Sequence, residues 1–315
     1  MPLFLSTVNQ IAFLLVLMLL GYLLTRLKVI PDNSAGVLSK LENNLFVPAL
    51  VLSTFIEHFT PERLGTAWTF LLCGFVVISL SVPIALFLAR LCSRDDYIRK
   101  IFSYGLTFSN FGYFGNAVVC ALFPELFMEY LIFCLPFWIY IYAYGVPMLL
   151  IPAEEKQGKK SKLSALLNPM FVAMLVGMLI GISGIKLPQF IDSASSSLGA
   201  CMSPVAMLLT GMTVASTDLK KTLKTPSIYS VTALRLFVIP LAAIGVLALL
   251  PLSYGLELCV VCALSMPLGL NTVVVPGAYG KDTSVAAGMS LVSHTLSCVS
   301  IPLVILLFDL ITSIT

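Results

Sequence analysis

Ser109-Asn110-Phe111-Gly112-Tyr113-Phe114-Gly115-Asn116 sits in the middle of an uncharged run from Ile101 to Pro124. A second stretch of the same character, Ser265-Met266-Pro267-Leu268-Gly269-Leu270-Asn271, lies in the uncharged run Leu258–Gly280, with Pro276-Gly277 further on. Glycine weakens a helix interior by about 1 kcal/mol and proline by about 3 kcal/mol relative to alanine. Asparagine brings an amide that replaces backbone hydrogen bonds lost at a break. Each run therefore predicts a helix interrupted near its centre, whose broken ends present N–H groups and positive dipole ends to an anionic group such as a carboxylate. On this reading Asn110, Asn116 and Asn271 hydrogen-bond a substrate, while Gly112, Gly115, Pro267 and Gly269 shape the break. Close helix packing is the plainer account of such residues; their occurrence in two matching places favours a site.

The rest of the chain explains why these runs are read as crossings of a membrane. Of 315 residues, 59% are hydrophobic and 10% charged, against roughly 25% charged in a soluble domain. So few charges cannot clothe a soluble globular enzyme, and the apolar content excludes a disordered chain. The formal charge of +3, with no basic stripe, gives no reason to expect nucleic acid. Further uncharged runs are Leu3–Thr25, Leu64–Ala89, Tyr130–Ala153, Leu163–Ile185, Ser193–Thr217 and Thr283–Phe308. Two more spans carry charge: Val37–Ile56, with Lys40 and Glu42 near its start, and Thr225–Leu256, with Arg235 inside. About 20 apolar residues cross a bilayer as a helix, and alternating strand patterns are absent, so the expected fold is all-α and integral to the membrane, with ten transmembrane helices.

Topology follows from the basic residues. Arg26, Lys28, Lys40, Arg90, Arg94, Arg99, Lys100, Lys156, Lys159, Lys160, Lys162, Lys220, Lys221, Lys224 and Lys281 fall in or beside the odd-numbered loops, which is 15 of 18, against Arg63 and Lys186 in the even ones. The positive-inside rule then makes the odd loops cytoplasmic and puts both termini outside, in a multi-pass protein of the plasma or inner membrane. No basic residue precedes the first apolar run, so it reads as an uncleaved span. The polar stretch 154–162 reads as a cytoplasmic linker between a first five-helix unit, 1–153, and a second, 163–315. An odd number of spans per unit makes the two insert upside down relative to each other. A weak self-similarity at about 155 residues agrees: Gly21 and Pro48 match Gly177 and Pro204, and Asn116-Ala117-Val118-Val119 matches Asn271-Thr272-Val273-Val274. Inverted repeats with broken helices crossing at mid-membrane, here spans 4 and 9, are an architecture of secondary transporters.

Several motifs resemble the auxin efflux carrier family over essentially the whole length. Asn43-Asn44-Leu45-Phe46-Val47-Pro48-Ala49-Leu50 is similar to its N-x-x-x-P-x-L segment, and Ser109–Gly115 to its S-N-x-G-[FY]-x-G pattern. Arg235-Leu236 followed by Pro240, Met266-Pro267, Ala278-Tyr279-Gly280 and the serine-rich run Ser290–Ser300 are also family-like. One departure is the lack of a proline after Gly115 until Pro124, so the first break rests on glycine and asparagine and substrate preference is open to differ. The resemblance implies a fold shared with bile-acid symporters and sodium/proton antiporters, with spans 1, 2, 6 and 7 as scaffold and spans 3–5 and 8–10 as transport domain. It implies carriage of a small organic anion, auxin-like or dicarboxylate-like, by alternating access, and a homodimer through the scaffold. Sodium-coupled symport of bile-acid type is the alternative.

The remaining polar residues extend these expectations. Arg235 is expected either to clamp backbone carbonyls of a broken helix or to act as a counter-charge to the anion. His294, among Ser290, Ser293, Thr295 and Ser297, serves either as a proton relay or as a neutral histidine bonded to its neighbours. Asn44, with Asn43, is placed facing the substrate from the scaffold side, and Glu42 facing water. No aspartate occurs mid-span in spans 3, 4, 5, 9 or 10, which argues against sodium/proton-antiporter chemistry and leaves a proton or sodium as coupling ion, or facilitated diffusion, with no other cofactor. The CxxC of Cys259 and Cys262 has no second pair and predicts no metal.

Overall fold

The computed structural model describes residues 2–31, 33–151, 169–215 and 224–313. The expected linker 154–162 and the basic residues Lys220 and Lys221 lie outside the described residues. The described chain is helical, and its β-type pairing is a single isolated bridge. In order it forms α1 (Pro2–Arg26), α2 (Ser34–Leu41), α3 (Val47–His58), α4 (Leu64–Cys92), α5 (Asp96–Thr107), α6 (Asn116–Leu122), α7 (Phe127–Tyr140), α8 (Pro169–Ser183), α9 (Gln189–Ala200), α10 (Met202–Ala215), α11 (Pro226–Ala233), α12 (Ile239–Leu247), α13 (Tyr254–Ser265), α14 (Asn271–Ala278) and α15 (Ser284–Thr312).

Among the described residues, six helical stretches are long and apolar enough to cross a membrane: Val8–Arg26, Gly65–Cys92, Pro124–Leu150, Gln189–Ala215, Pro226–Leu247 and Ser284–Thr312. The four other expected spans do not meet that length and apolarity among the described residues. The fourth and ninth expected spans are each cut in two, the second contains Lys40 and Glu42, and the sixth is described only from Pro169. Charge proved an imperfect marker of helix ends. The fourth span starts at Asp96, five residues ahead of Ile101, because the Asp95 carboxylate accepts the Ile98 N–H (2.8 Å) and caps the helix. Asp96 then pairs with Lys100 (3.0 Å) and with Arg99. Likewise α13 starts at Tyr254, ahead of Leu258, with Glu257 tucked in among apolar neighbours.

Three wide π-type segments, Glu42–Phe46, Ile141–Leu150 and Leu234–Val238, fall where a proline disturbs the helical ladder. Pro48, Pro147 and Pro240 each have the carbonyl four residues back inside the widened segment. A proline ring clashes with that carbonyl and offers it no N–H, and opening the turn to i→i+5 bonding relieves both faults.

The helices pack in two clusters, which also meet where α1 lies on α15. In one, α1 lies along α10, and α3 along α8 with α9 beside it. The first pair approaches backbone to backbone at Gly211, where a Cβ would stand 1.8 Å from the Met18 carbonyl oxygen. In the other, α4 packs on α5 and α7, and α15 on α11 and α13. Here every residue of Ile101–Gly112 and of Leu256–Leu270 is buried, so the core is centred on the two expected breaks. By contrast α4 turns Trp68, Leu72, Phe75, Leu80 and Phe87 outward, a face suited to lipid.

Candidate functional site

Helical form lapses at Phe108–Asn110, between α5 and a π turn Phe111–Gly115 that leads into α6, and again at Met266–Leu270, between α13 and α14. The two lapses meet. Ser109 and Leu268 form an antiparallel bridge, and the Asn110 N–H donates to the Pro267 carbonyl (2.7 Å). A backbone group freed in a water-poor interior needs a partner, and side chains supply some of them. The Ser109 hydroxyl donates to the Ala263 carbonyl (2.7 Å), and Ser293 Oγ accepts the Leu268 N–H (3.2 Å).

Arg235 completes this crossing. It is fully buried, and its guanidinium donates through Nη1 to Leu106 O (2.9 Å), through Nη2 to Ala263 O (3.2 Å) and through Nε to Met266 O (3.2 Å). Leu106 and Ala263 lie in the last turns of α5 and α13, so one cation faces two helix C-termini, where partial negative charge collects. The planar fork divides its donors among three acceptors, a geometry that lysine lacks.

His294 is also fully buried, on α15 beneath the first lapse. Its Nδ1 lies 2.7 Å from the Ser290 carbonyl, which can only accept, so Nδ1 carries the proton. Nε2 is then an acceptor, and the Asn110 Nδ2 donates to it at 2.9 Å. That fixes the Asn110 amide, whose Oδ1 accepts the Phe114 N–H (3.4 Å) at the start of the π turn. His294 thus sets the orientation of the residue that caps the break.

A cavity of about 280 Å³ adjoins the crossing. Its floor is Asn110, Gly112, Gly269 and Asn271, and its walls are the rings of Tyr104, Phe111, Tyr113, Trp138 and Tyr142. Trp138 stacks near-parallel on Tyr142 (6.1 Å between centroids, 18°) and meets Phe111 edge-on (5.1 Å, 66°). Gly112 leaves room for this indole: a Cβ there would stand 2.6 Å from Trp138 Cζ2. The Asn271 amide Nδ2 donates to the Tyr104 hydroxyl (2.8 Å), which leaves the Tyr104 proton free to be donated. Opposite, the Tyr113 hydroxyl donates to Asn43 Oδ1 (2.7 Å). None of the described lining residues carries a charge.

The expected site residues therefore separate into groups. Asn110, Gly112, Gly269, Asn271 and Asn44 line the cavity. The amides of Asn44 and Asn43 bend back to the Lys40 (2.8 Å) and Ser39 (2.7 Å) carbonyls of their own helix. Gly115, Asn116 and Pro267 lie beside the cavity without lining it; Asn116 is buried, and Gly115 faces the Tyr130 hydroxyl. Arg235 and His294 do not line it either, and their bonds run to the crossing itself. Glu42, expected to face water, is fully buried. Sequence reasoning missed Tyr104, Trp138 and Tyr142, which carry no local signal that separates them from core aromatics.

Comparison with known proteins agrees with this helical, membrane-suited architecture. An uncharacterized transporter of Methanothermobacter thermautotrophicus is 25% identical over 304 residues, which cover 95% of this chain and 98% of that protein. The family model described as "Membrane transport protein" matches residues 6–305. The chain therefore belongs to the membrane transport protein family, that of the auxin efflux carriers, and is a multi-pass membrane transporter.

Proposed function

We propose that this transporter carries a small organic monocarboxylate, with a flat apolar body, by alternating access at the crossing of its two broken helices. The observation that carries the reading is the make-up of the cavity: aromatic walls, amide and hydroxyl groups on the floor, and no charged lining residue among those described. One carboxylate is matched by the Tyr104 hydroxyl, the Asn271 amide and the positive ends of the helices that begin at Phe111 and Asn271. The second carboxylate of a dicarboxylate would have no cation to meet, which favours the auxin-like class over the malonate-like one.

Ten spans in two inverted halves, 1–153 and 163–315, are the frame for this motion. Several contacts support the reading by pairing off under an exchange of halves, although that of the first span with the tenth (α1 on α15) has no such counterpart. The first span on the seventh (α1 on α10) is matched by the sixth on the second (α8 on α3). The third on the fifth (α4 on α7) is matched by the eighth on the tenth (α11 on α15). Spans 1, 2, 6 and 7 would stay as scaffold while spans 3–5 and 8–10 move. The cavity reaches from the two lapses to Ser39 on α2, Tyr104 on α5, Thr213 on α10 and Val275 on α14, toward the loops that hold Lys28–Lys40, Arg90–Lys100, Lys220–Lys224 and Lys281. With those loops cytoplasmic, this conformation faces inward.

Uptake of radiolabelled indole-3-acetate and of malonate into proteoliposomes tests the proposal. The aromatic acid should be carried in preference, and Asn271→Ala and Tyr104→Phe should each slow its uptake at least about tenfold, since a hydrogen bond to a charged group contributes about 1.5–3 kcal/mol. Wild-type rates in both variants, or uptake of neither acid, would overturn it.

A further inference from the structure

Glu42 belongs to no group described so far. It opens the π turn Glu42–Phe46, it is 0% exposed, and neither Oε1 nor Oε2 has a hydrogen-bond partner. The turn packs against α8, α9 and α10 and continues α2 into α3. The titratable and charged groups on those elements give it no ion pair. Lys40 is exposed two residues away, Glu57 and His58 face each other (3.9 Å) at the far end of α3, and Asp192 is exposed near the start of α9. The helices α8 and α10 hold no acidic or basic residue. Across the cavity stands Tyr113, whose hydroxyl is within electrostatic reach of Glu42 and is bonded to the adjacent Asn43 (2.7 Å).

A buried ionised carboxylate that finds no donor or cation among the described residues loses hydration without compensation, so the neutral acid is the form this packing favours. A metal cation would need several further oxygens around it, and the described residues hold no group of three or more His, Cys, Asp or Glu side chains. The Tyr113–Asn43 bond joins the turn of Glu42 to the π turn Phe111–Gly115 of the broken helix. That is the seam along which the two helix sets would slide.

We propose that Glu42 is the proton-binding site of this carrier. Its carboxyl group holds a proton while the Tyr113–Asn43 bond is closed. It gives that proton to water when the broken helix moves off the scaffold and the seam opens. The inference rests on the alternating-access reading above, but not on the identity of the substrate.

Infrared difference spectroscopy of the whole protein in lipid, titrated from neutral to alkaline pH, reads the proton directly. The expected result is a carboxylic-acid carbonyl band at neutral pH that disappears on alkalinisation and is missing from Glu42→Gln, the variant that keeps the shape of the neutral acid. A companion measurement reads the seam. With Trp68→Phe as background, Trp138 in the cavity wall is the sole tryptophan. Its emission should shift over the pH range in which the band disappears, and Glu42→Gln should abolish that shift. A band that persists in Glu42→Gln, no band at neutral pH, or Trp138 emission indifferent to pH while the band titrates would each overturn the proposal. Neither readout uses a carboxylate substrate, so a failed uptake assay and a failed proton site remain separate results.

Discussion

Replacing Arg235 by lysine keeps the positive charge and removes the fork. In the native arrangement three nitrogens serve three carbonyls, those of Leu106, Ala263 and Met266, at 2.9–3.2 Å. A lysine ammonium is a single point on a flexible stem. If it keeps one of these bonds, two are lost. Hydrogen bonds from a charged group contribute about 1.5–3 kcal/mol each, so Arg235→Lys should lose about 3–6 kcal/mol. For a chain of this size each kcal/mol moves the melting temperature by about 2–4 °C, giving a fall of more than about 5 °C. Heating detergent-purified protein and following the monodisperse peak by size-exclusion chromatography measures this. Transport should fall together with stability, because the clamp holds the two helix C-termini that position the cavity floor. A variant as stable as the wild type, with only a weakened affinity for the transported anion, would refute the clamp and favour a counter-charge.

Three further outcomes follow from single contacts. Gly112→Ala places a methyl group 2.6 Å from the Trp138 ring, so it should shift Trp138 emission and slow uptake several-fold with little loss of folded protein; an unchanged spectrum and rate would contradict the packing of the cavity wall. Gly211→Ala places one 1.8 Å from the Met18 carbonyl, so α1 and α10 must separate and the melting temperature should drop, a result that unchanged melting would exclude. At the exposed end of α5, the Lys100 ammonium bonded to Asp96 holds that carboxyl below its ordinary value of 3.8. Its folded-state affinity for protons is depressed, so its contribution is present above that value and is lost only as pH falls through the lower one. Melting curves of the wild type and Asp96→Asn should therefore differ at neutral pH and converge only in strong acid, and convergence already at pH above the ordinary carboxylate value would show the pair to be absent.

What the residues disclosed in advance depended on whether the signal was local. Helical, apolar character follows from composition and from runs without charge. The two lapses, at Phe108–Asn110 and Met266–Leu270, fall inside stretches whose glycine, asparagine and proline content speaks against a continuous helix. Non-local facts were hidden. A clamp of Arg235 on backbone carbonyls was one of the two readings its position left open, but which carbonyls, on two other helices, has no sequence signature. The Asn43 and Asn44 amides turn back to carbonyls of their own helix, a local bond that the residue types alone do not announce. Glu42 looked like a surface residue because an acidic residue near a helix end is usually solvated. Its burial depends on α8, α9 and α10 closing over the turn, which no local pattern reports. Tyr104 and Trp138 are indistinguishable in sequence from core aromatics until a cavity is seen beside them.

The account stands on a carboxylate seated between the two lapses, against Asn271 and Tyr104. Thermal stabilisation of the purified protein by a series of aromatic monocarboxylates, with dicarboxylates for comparison, measures that most directly. The prediction is saturable stabilisation by at least one aromatic monocarboxylate, stronger than by any dicarboxylate and lost in Asn271→Ala. Stabilisation that Asn271→Ala leaves intact, or none from any monocarboxylate, would contradict it.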